Sequence, residues 1–117
     1  MTKLRVLDLF SGSGGFSLGL ERTGGFETVA FCEIEPFPRR VLKKHWPEVP
    51  CIEDVATSDF GHIGPVDLVT AGFPCQDISF AGKGAGLAGE RSGLFWHVIR
   101  AAGLVGRPKL LLENVAG

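Results

Sequence analysis

A cysteine, a glutamate and a glycine-rich turn are the features of this sequence whose residue types and spacing could do chemistry. Cys75 lies in the polar segment Gly72-Phe73-Pro74-Cys75-Gln76, directly after an apolar run. A cysteine attacks as its thiolate, so it needs nearby positive potential to ionise at neutral pH; Arg91 or an arginine elsewhere could supply that potential. Most free cysteines are instead small buried hydrophobes, and this is our prediction for Cys32 and Cys51.

Glu113 follows a second apolar run, at positions 109–112, and precedes Asn114. If that run is a strand next to the one before Cys75, the carboxyl group faces the same crevice. A carboxyl group whose pKa is raised by partial burial could donate a proton to a ring nitrogen or hydrogen-bond an exocyclic amine. The alternative for Glu113 is a strand-end carboxylate in water.

The glycine-rich turn predicts a cofactor site. Phe10-Ser11-Gly12-Ser13-Gly14-Gly15 lets the backbone approach a ligand and leads into a predicted helix with free N–H donors. Glu33 lies 21 residues after Gly12, where a carboxylate is expected to hold both hydroxyls of a ribose, and Asp54-Val55 could contact an adenine. Spacing alone therefore predicts an adenosine-containing cofactor, either a nicotinamide dinucleotide or S-adenosylmethionine. The alternative for the glycines is a tight strand–helix turn.

Strands and helices alternate along the sequence. Apolar and β-branched runs predict strands at 4–9, 28–32, 49–52, 66–71 and 109–114, with helices at 15–22, 36–47 and 92–104 and a loop at 73–90. This pattern predicts an α/β fold, a doubly wound parallel sheet of order 3-2-1-4-5. Ligands of such sheets bind where the strand order reverses, between strands one and four, so the turn and Cys75 should face one crevice.

The composition is that of a soluble globular protein: 117 residues, of which 44% are hydrophobic and 21% charged. A balance of 12 basic and 13 acidic residues gives a net charge of −1, whereas a protein that grips DNA alone usually has a basic face. No apolar run suits a membrane span or an export signal, which predicts a cytoplasmic location. The cysteines and histidines lack metal-ligand spacing, so we expect no metal.

Four segments together resemble the DNA cytosine-5 methyltransferases. Asp8-Leu9-Phe10-Ser11-Gly12-Ser13-Gly14-Gly15 is similar to their cofactor-binding motif, and Gly72-Phe73-Pro74-Cys75-Gln76-Asp77-Ile78-Ser79 to their Pro-Cys motif. Glu90-Arg91-Ser92-Gly93-Leu94-Phe95 resembles the segment after the family's catalytic loop, and Glu113-Asn114-Val115 resembles its Glu-Asn-Val motif. The order and spacing match across essentially the whole chain.

The resemblance implies a Rossmann-like S-adenosylmethionine-dependent fold and a role for each matching residue. Cys75 would attack carbon 6 of a flipped cytosine in double-stranded DNA, Glu113 would hold the base at its ring nitrogen and amine, and carbon 5 would take the methyl group. Lys83 and Gly84 would belong to a mobile loop that closes over the DNA. The implied S-adenosyl-L-methionine pocket comprises Phe10, Gly12, Gly14, Gly15, Glu33, Ile34, Asp54, Val55 and Pro74.

The family's target-recognition region and its last cofactor motif have no counterpart in the sequence. We therefore expect residues 1–117 to be the N-terminal part of a catalytic domain, truncated after the fifth strand and inactive without a complementing C-terminal polypeptide. Lys83 and Arg91 are the basic residues that we expect it to offer DNA, so binding by the chain alone should be weak. Three alternatives remain: an RNA cytosine-5 methyltransferase, a nicotinamide oxidoreductase, against which Ser17 in place of glycine counts, and a non-catalytic binding module.

Overall fold

A computed structural model describes residues 2–74 and 93–115 of the chain. This part forms one parallel sheet and three helices. In chain order the elements are β1 (Leu4–Leu9), α1 (Gly15–Arg22), β2 (Phe26–Cys32), α2 (Pro36–His45), β3 (Cys51–Ile52), β4 (Leu68–Pro74), α3 (Gly93–Leu104) and β5 (Lys109–Val115). None of the helices in the described residues is long and apolar enough to cross a bilayer.

The strand order is β3-β2-β1-β4-β5, which confirms the predicted doubly wound arrangement. β1 pairs in parallel with β2 on one side and with β4 on the other. The connections therefore run outward in opposite directions from β1, and the loops after β1 and β4 leave the same edge of the sheet on either side of the reversal.

Four of the five strands differ from their predicted bounds, β2 and β5 by only two residues and one residue at one end, β3 and β4 by more. β4 continues through Phe73 and Pro74, where the sequence predicts a loop, because the ladder with β5 extends to Asn114 and Val115. β3 has only two residues, and Pro50 before it has no N–H to donate, although its carbonyl accepts a hydrogen bond from the Phe31 amide. β3 is therefore a short edge strand next to α2.

Helix α1 has the predicted span, but its inner face includes a polar residue that the pattern does not predict there. The sequence pattern places Phe16 and Leu20 inward, with Leu18 as a further candidate. Phe16 and Leu20 are half-buried, Leu18 is 45% exposed and Ser17 is fully buried. The polar residue lies inward because the Ser17 hydroxyl donates a hydrogen bond of 2.7 Å to a carboxylate oxygen of Asp8 on β1. A buried hydrogen-bonded polar group here takes the place of apolar packing.

Asp8 is the centre of a buried polar network at the middle of the sheet. Its second carboxylate oxygen accepts a hydrogen bond of 3.1 Å from the Thr70 hydroxyl on β4. The Thr28 hydroxyl on β2 in turn donates to the Ser17 hydroxyl over 2.7 Å. All four side chains are at least 95% buried, Asp8 being 1% and Thr28 5% exposed. The network thus ties β1, β2, β4 and α1 together at one level of the fold.

Burial raises the pKa of Asp8 from 3.8 to about 6, although hydrogen bonds from Ser17 and Thr70 act in the opposite direction. The folded state therefore binds this proton more tightly than the unfolded state does. It follows that Asp8 favours folding most when protonated, and that this contribution is lost as the pH rises from about 4 through about 6.

Replacement Asp8→Asn should flatten the pH dependence of stability. From pH 4 to pH 7 the wild-type chain should lose up to about 3 kcal/mol of unfolding free energy relative to the variant, because a shift of one pKa unit corresponds to about 1.4 kcal/mol. Urea unfolding at a series of pH values measures this difference. The control is Asp59→Asn, which removes an exposed carboxylate outside the buried network. Parallel profiles for wild type and Asp8→Asn would contradict the assignment.

The start of α1 is in contact with the end of α2. Gly14, the N-cap of α1, has a φ of 89°, and a Cβ placed on it would lie 2.8 Å from the Trp46 ring and 3.0 Å from Leu42. The Trp46 indole N–H donates to Glu21 of α1 over 2.9 Å, and its ring packs edge-on against Phe31 of β2 at 5.1 Å between centroids. Glycine is required here by both the backbone conformation and the close approach.

Gly14→Ala should lower the unfolding free energy by about 1–3 kcal/mol, because it combines a left-handed backbone with a steric clash against Trp46. The matched control is Gly15→Ala, since a Cβ on Gly15 would meet nothing within 4 Å and its φ is not positive. Urea denaturation of both variants measures the difference. Equal destabilisation by the two substitutions would show that the Trp46 contact is unimportant.

Candidate active site

A small cleft lies at the carboxyl ends of β1, β2 and β3, on the β2 side of the strand-order reversal between β1 and β4. It encloses about 100 Å³, less than the several hundred that a complete small-molecule site usually has, so it suits one part of a ligand. Five of the nine cofactor residues predicted from the sequence meet there, and Cys32 and Glu53 join them. The predicted residues that line it are Phe10, Glu33, Ile34, Asp54 and Val55.

Glu33 connects the elements around this cleft. One oxygen of its half-buried carboxylate accepts a hydrogen bond of 2.8 Å from the Gly12 amide, and the other accepts one of 2.9 Å from the Glu35 amide. Its own amide donates to the Ile52 carbonyl of β3, and its carbonyl accepts from the Arg39 guanidinium over 2.8 Å. The carboxylate is therefore fixed in place, with lone pairs left on both oxygens for further donors.

The glycine-rich turn takes its shape from left-handed backbone at three positions. Phe10, Gly12 and Gly14 have φ values of 53°, 55° and 89°. A positive φ is uncommon for a phenylalanine, and such backbone strain is found most often where a loop is held for binding. The Ser11 amide donates to the Cys32 carbonyl over 3.2 Å, so the turn is fastened to the end of β2. This contact, together with that of Gly12 to Glu33, holds the turn against the cleft.

The other wall of the cleft comes from the residues after β3. One carboxylate oxygen of Asp54 accepts a hydrogen bond of 2.9 Å from the Ala56 amide, which orients the side chain in a local turn. Val55 is 6% exposed and belongs to the core, whereas Ile34 across the cleft is 56% exposed. The cleft therefore combines carboxylates with apolar surface, and the apolar side chain of Ile34 is accessible to a ligand.

Two further predicted residues lie at the ends of β4 and β5. Pro74 is the last residue of β4 and pairs with Val115, while Glu113 pairs with Gly72 one strand away. The Glu113 side chain is exposed, so the partial burial that we expected for it is not found. Cys75 lies outside the described residues, as do Lys83, Gly84 and Arg91.

The two described cysteines are suited to packing rather than to nucleophilic attack. Cys32 is 3% exposed, and its burial raises the pKa of the thiol to about 12, which keeps it protonated at neutral pH. Burial also raises the pKa of Cys51, although this residue is only half-buried and not enclosed as we expected. Among the described residues no group of three or more histidine, cysteine or acidic side chains could hold a metal ion.

Sequence reasoning missed several residues that shape this site. Ser17 counted only as a departure from a glycine pattern, yet it bonds Asp8 beneath the turn. No sequence pattern points to Glu53 after β3 or to Arg39 of α2, because a charged residue carries no signal of which neighbour it will contact. The one sequence feature that points to the buried network is Asp8, because it begins the motif Asp8-Leu9-Phe10 that resembles the family's cofactor motif.

Comparison with known proteins places these features in one family. Residues 4–117 match the family described as C-5 cytosine-specific DNA methylase. The chain is 41% identical over 116 residues to the type II methyltransferase M2.BsuMI of Bacillus subtilis and 42% identical over 114 residues to M.Eco47II of Escherichia coli. Each alignment covers 96% of this chain but only 29% and 27% of the relative. The chain thus spans less than a third of the length of these relatives.

Solved structures agree with the sequence comparison. A DNA modification methyltransferase encoded within an Escherichia coli prophage superimposes with a TM-score of 0.74 at 30% identity, over 98% of this chain and 33% of the other. The Dnmt2 methyltransferase of Schizosaccharomyces pombe gives a TM-score of 0.71 at 25% identity over 98% of this chain and 34% of the other. With the methylase match over nearly its full length and a Rossmann-like methyltransferase fold, the chain belongs to the C-5 cytosine-specific DNA methylase family.

Proposed function

We propose that this chain supplies the cofactor-binding and nucleophile-bearing part of an enzyme that transfers a methyl group from S-adenosylmethionine to carbon 5 of cytosine in DNA. The observation that carries the proposal is the meeting of Phe10, Glu33, Ile34, Asp54 and Val55 in one cleft beside the glycine-rich turn. Family membership supplies the reaction, and this cleft supplies a nucleoside site for it.

The residues of the cleft fit the adenosine end of S-adenosylmethionine. The fixed Glu33 carboxylate keeps lone pairs that can accept hydrogen bonds from two ribose hydroxyls. Phe10 and Ile34 offer apolar surface to an adenine ring, and Asp54 and Val55 close the opposite wall. Gly12, Gly14 and Gly15 would leave room for the rest of the cofactor, and Pro74 would border it from the end of β4. The cofactor, when bound, supplies an activated methyl group.

Cys75 and Glu113 would supply the two catalytic groups that the reaction requires, a nucleophile and a carboxyl group that binds the base. The Cys75 thiolate would add to carbon 6 of an extruded cytosine, while Glu113 would hold the ring nitrogen and the exocyclic amine. Electron density gained by the ring then makes carbon 5 nucleophilic. Carbon 5 would then take the methyl group, leaving S-adenosylhomocysteine. A base would remove the carbon 5 proton, the electron pair of that bond would restore the double bond between carbons 5 and 6, and the bond between sulfur and carbon 6 would break to regenerate the thiolate.

The relatives are about three and a half times as long as this chain. We propose that residues 1–117 require a C-terminal portion of the kind that these relatives carry, both to complete the cofactor pocket and to recognise a DNA sequence. The chain alone should then bind cofactor weakly and methylate nothing. A restriction-modification context follows from the type II relatives, and an RNA substrate is the alternative that assays must separate.

Titration calorimetry with S-adenosylhomocysteine tests the cofactor site. Wild-type chain should bind it in preference to a nicotinamide dinucleotide. Glu33→Ala should weaken binding by about ten- to a hundredfold, because it removes charged hydrogen-bond acceptors worth about 1.5–3 kcal/mol. Glu35→Ala is the matched control, since Glu35 is an exposed neighbour of equal charge whose side chain lies outside the cleft. Equal losses in both variants would argue against this site. No binding by folded wild-type chain would show that the pocket depends on the C-terminal portion, and the titration would then be repeated with a C-terminal polypeptide from a relative.

Covalent capture of DNA tests the nucleophile. With a C-terminal polypeptide from a relative and S-adenosylmethionine, wild-type chain should form a stable adduct with DNA containing 5-fluorocytosine, because fluorine at carbon 5 cannot leave as a proton does. Cys75→Ser should abolish the adduct while S-adenosylhomocysteine binding stays unchanged. Cys51→Ser, which alters a half-buried thiol, should keep both.

Adduct formation by Cys75→Ser, or a parallel loss of cofactor binding, would show that Cys75 is not the nucleophile. An RNA strand with the same fluorinated base, run alongside, separates the two substrate classes. Capture of the RNA in preference to the DNA would transfer the proposal to an RNA methyltransferase.

A further inference from the structure

A second and larger cleft, of about 560 Å³, lies on the outer side of α2 at the free edge of the sheet. Arg39, Arg40 and Lys43 of α2 form one side of it, and residues 47–51 form the other. We call this cleft the basic groove. It is separate from the cleft lined by Phe10, Glu33, Ile34, Asp54 and Val55, which we call the nucleoside cleft. Residues before β3 line the basic groove, and residues after β3 line the nucleoside cleft.

Positive charge is concentrated at this groove. Four of the 12 basic residues of the chain fall within positions 39–44, and α2 contains no acidic residue. No carboxylate among the described residues forms an ion pair with Arg40 or Lys43. Glu48 is the acidic side chain in the lining, so the groove carries an excess of two positive charges. A nearly neutral chain thus has a local basic face that its net charge conceals.

The two guanidinium groups are held rather than free to swing. Arg39 donates from Nη1 to the Glu33 carbonyl over 2.8 Å, and Arg40 lies over the Phe37 ring at 5.7 Å from its centroid. A guanidinium that is already positioned loses less conformational freedom when it binds an oxyanion. Arg39 also connects the groove to the backbone of Glu33, the residue that we assign to the ribose.

An uncompensated basic groove suits an anion more than an apolar ligand. The helix dipole offers another reason for basic residues here, because the carboxyl end of a helix favours cations. That effect concerns Lys43, Lys44 and His45 in the last turn of α2. It does not explain why arginines line an open groove. Phosphate is the anion for which arginine geometry and positive charge are best matched.

We propose that the basic groove binds a backbone phosphate of the nucleic acid substrate, away from the base that is modified. This inference rests on the proposed function, because that function supplies a polyanionic partner. The contact adds affinity without reading sequence, since phosphates are the same at every position. It also supplies a part of the basic surface that the sequence led us to look for only at Lys83 and Arg91.

The test compares the DNA binding of two double variants, one that lacks two positive charges of the groove and one that lacks two positive charges elsewhere. Arg40→Gln combined with Lys43→Gln leaves the structural Arg39 in place. The control combines Lys44→Gln, from the same last turn of α2 but outside the groove, with Arg22→Gln from the exposed end of α1. Binding of fluorescein-labelled double-stranded DNA is followed by anisotropy over a series of NaCl concentrations.

The groove variant should bind DNA about tenfold more weakly than wild type at low salt, because it loses two of the positive charges that would neutralise DNA phosphates. The slope of log affinity against log salt should become shallower by about 0.9 for each DNA phosphate that the variant no longer neutralises. The control should keep the wild-type slope. Equal weakening in both variants, an unchanged groove variant, or no DNA binding by wild-type chain at low salt would overturn the proposal.

Two further measurements separate the possible outcomes. S-adenosylhomocysteine binding by the same samples tests the proposed function independently, since neither Arg40 nor Lys43 lines the nucleoside cleft. Inorganic pyrophosphate serves as a small-anion probe. If pyrophosphate binds the groove tightly while DNA affinity is the same in both variants, the groove is a site for a small anion and the backbone contact is refuted.

Discussion

Asp8 carries a carboxylate at the centre of the sheet, where its two oxygens accept hydrogen bonds from Ser17 on one side and Thr70 on the other. Removing such a group from water costs several kcal/mol, and only partners with good geometry offset that cost. The partners here come from α1 and β4, and Thr28 extends the network to β2. If β4 slid by one residue along β1, Thr70 would be turned to the other face of the sheet. One buried group therefore constrains the alignment of three strands and a helix.

The nucleoside cleft depends on that alignment. Because β1 and β2 are fixed side by side, the turn after β1 lies next to Glu33 after β2, close enough for the Gly12 amide to reach the carboxylate. Glu33 then performs a structural task before any ligand arrives, since it already bonds the turn and the start of α2. A carboxylate held in this way has little freedom left to lose on binding, which is the physical meaning of a preorganised site.

The fold and the nucleoside cleft were largely predictable from the sequence, and the reasons are local. Alternating strand and helix patterns give the strand order through right-handed crossovers, and parallel strands bring their carboxyl ends to one edge. Residues that follow different strands, such as Phe10, Glu33 and Asp54, could therefore be expected to meet. Glu113 could be assigned to the end of β5, but its exposure depends on what packs beside it, and no pattern in the sequence carries that information.

Long-range contacts between side chains were not predictable. Ser17 interrupts an apolar helix face, and only the three-dimensional position of Asp8 explains why. The basic groove combines a helix with residues 47–51, which approach it because β3 pairs with β2. A balanced count of charges conceals such clustering, since the charges are sorted by folding and not by composition.

The packing of Trp46 gives the protein a built-in optical reporter. The chain has two tryptophans and no tyrosine, so its fluorescence comes almost entirely from two indoles. Trp96 is 53% exposed, whereas Trp46 is half-buried, hydrogen-bonded to Glu21 and in the path of any Cβ at Gly14. Because Trp46 contacts Gly14, movement of the glycine-rich turn should change the surroundings of Trp46. Movement of the turn can be followed in real time by the emission wavelength and quenching of Trp46 fluorescence, with no label attached.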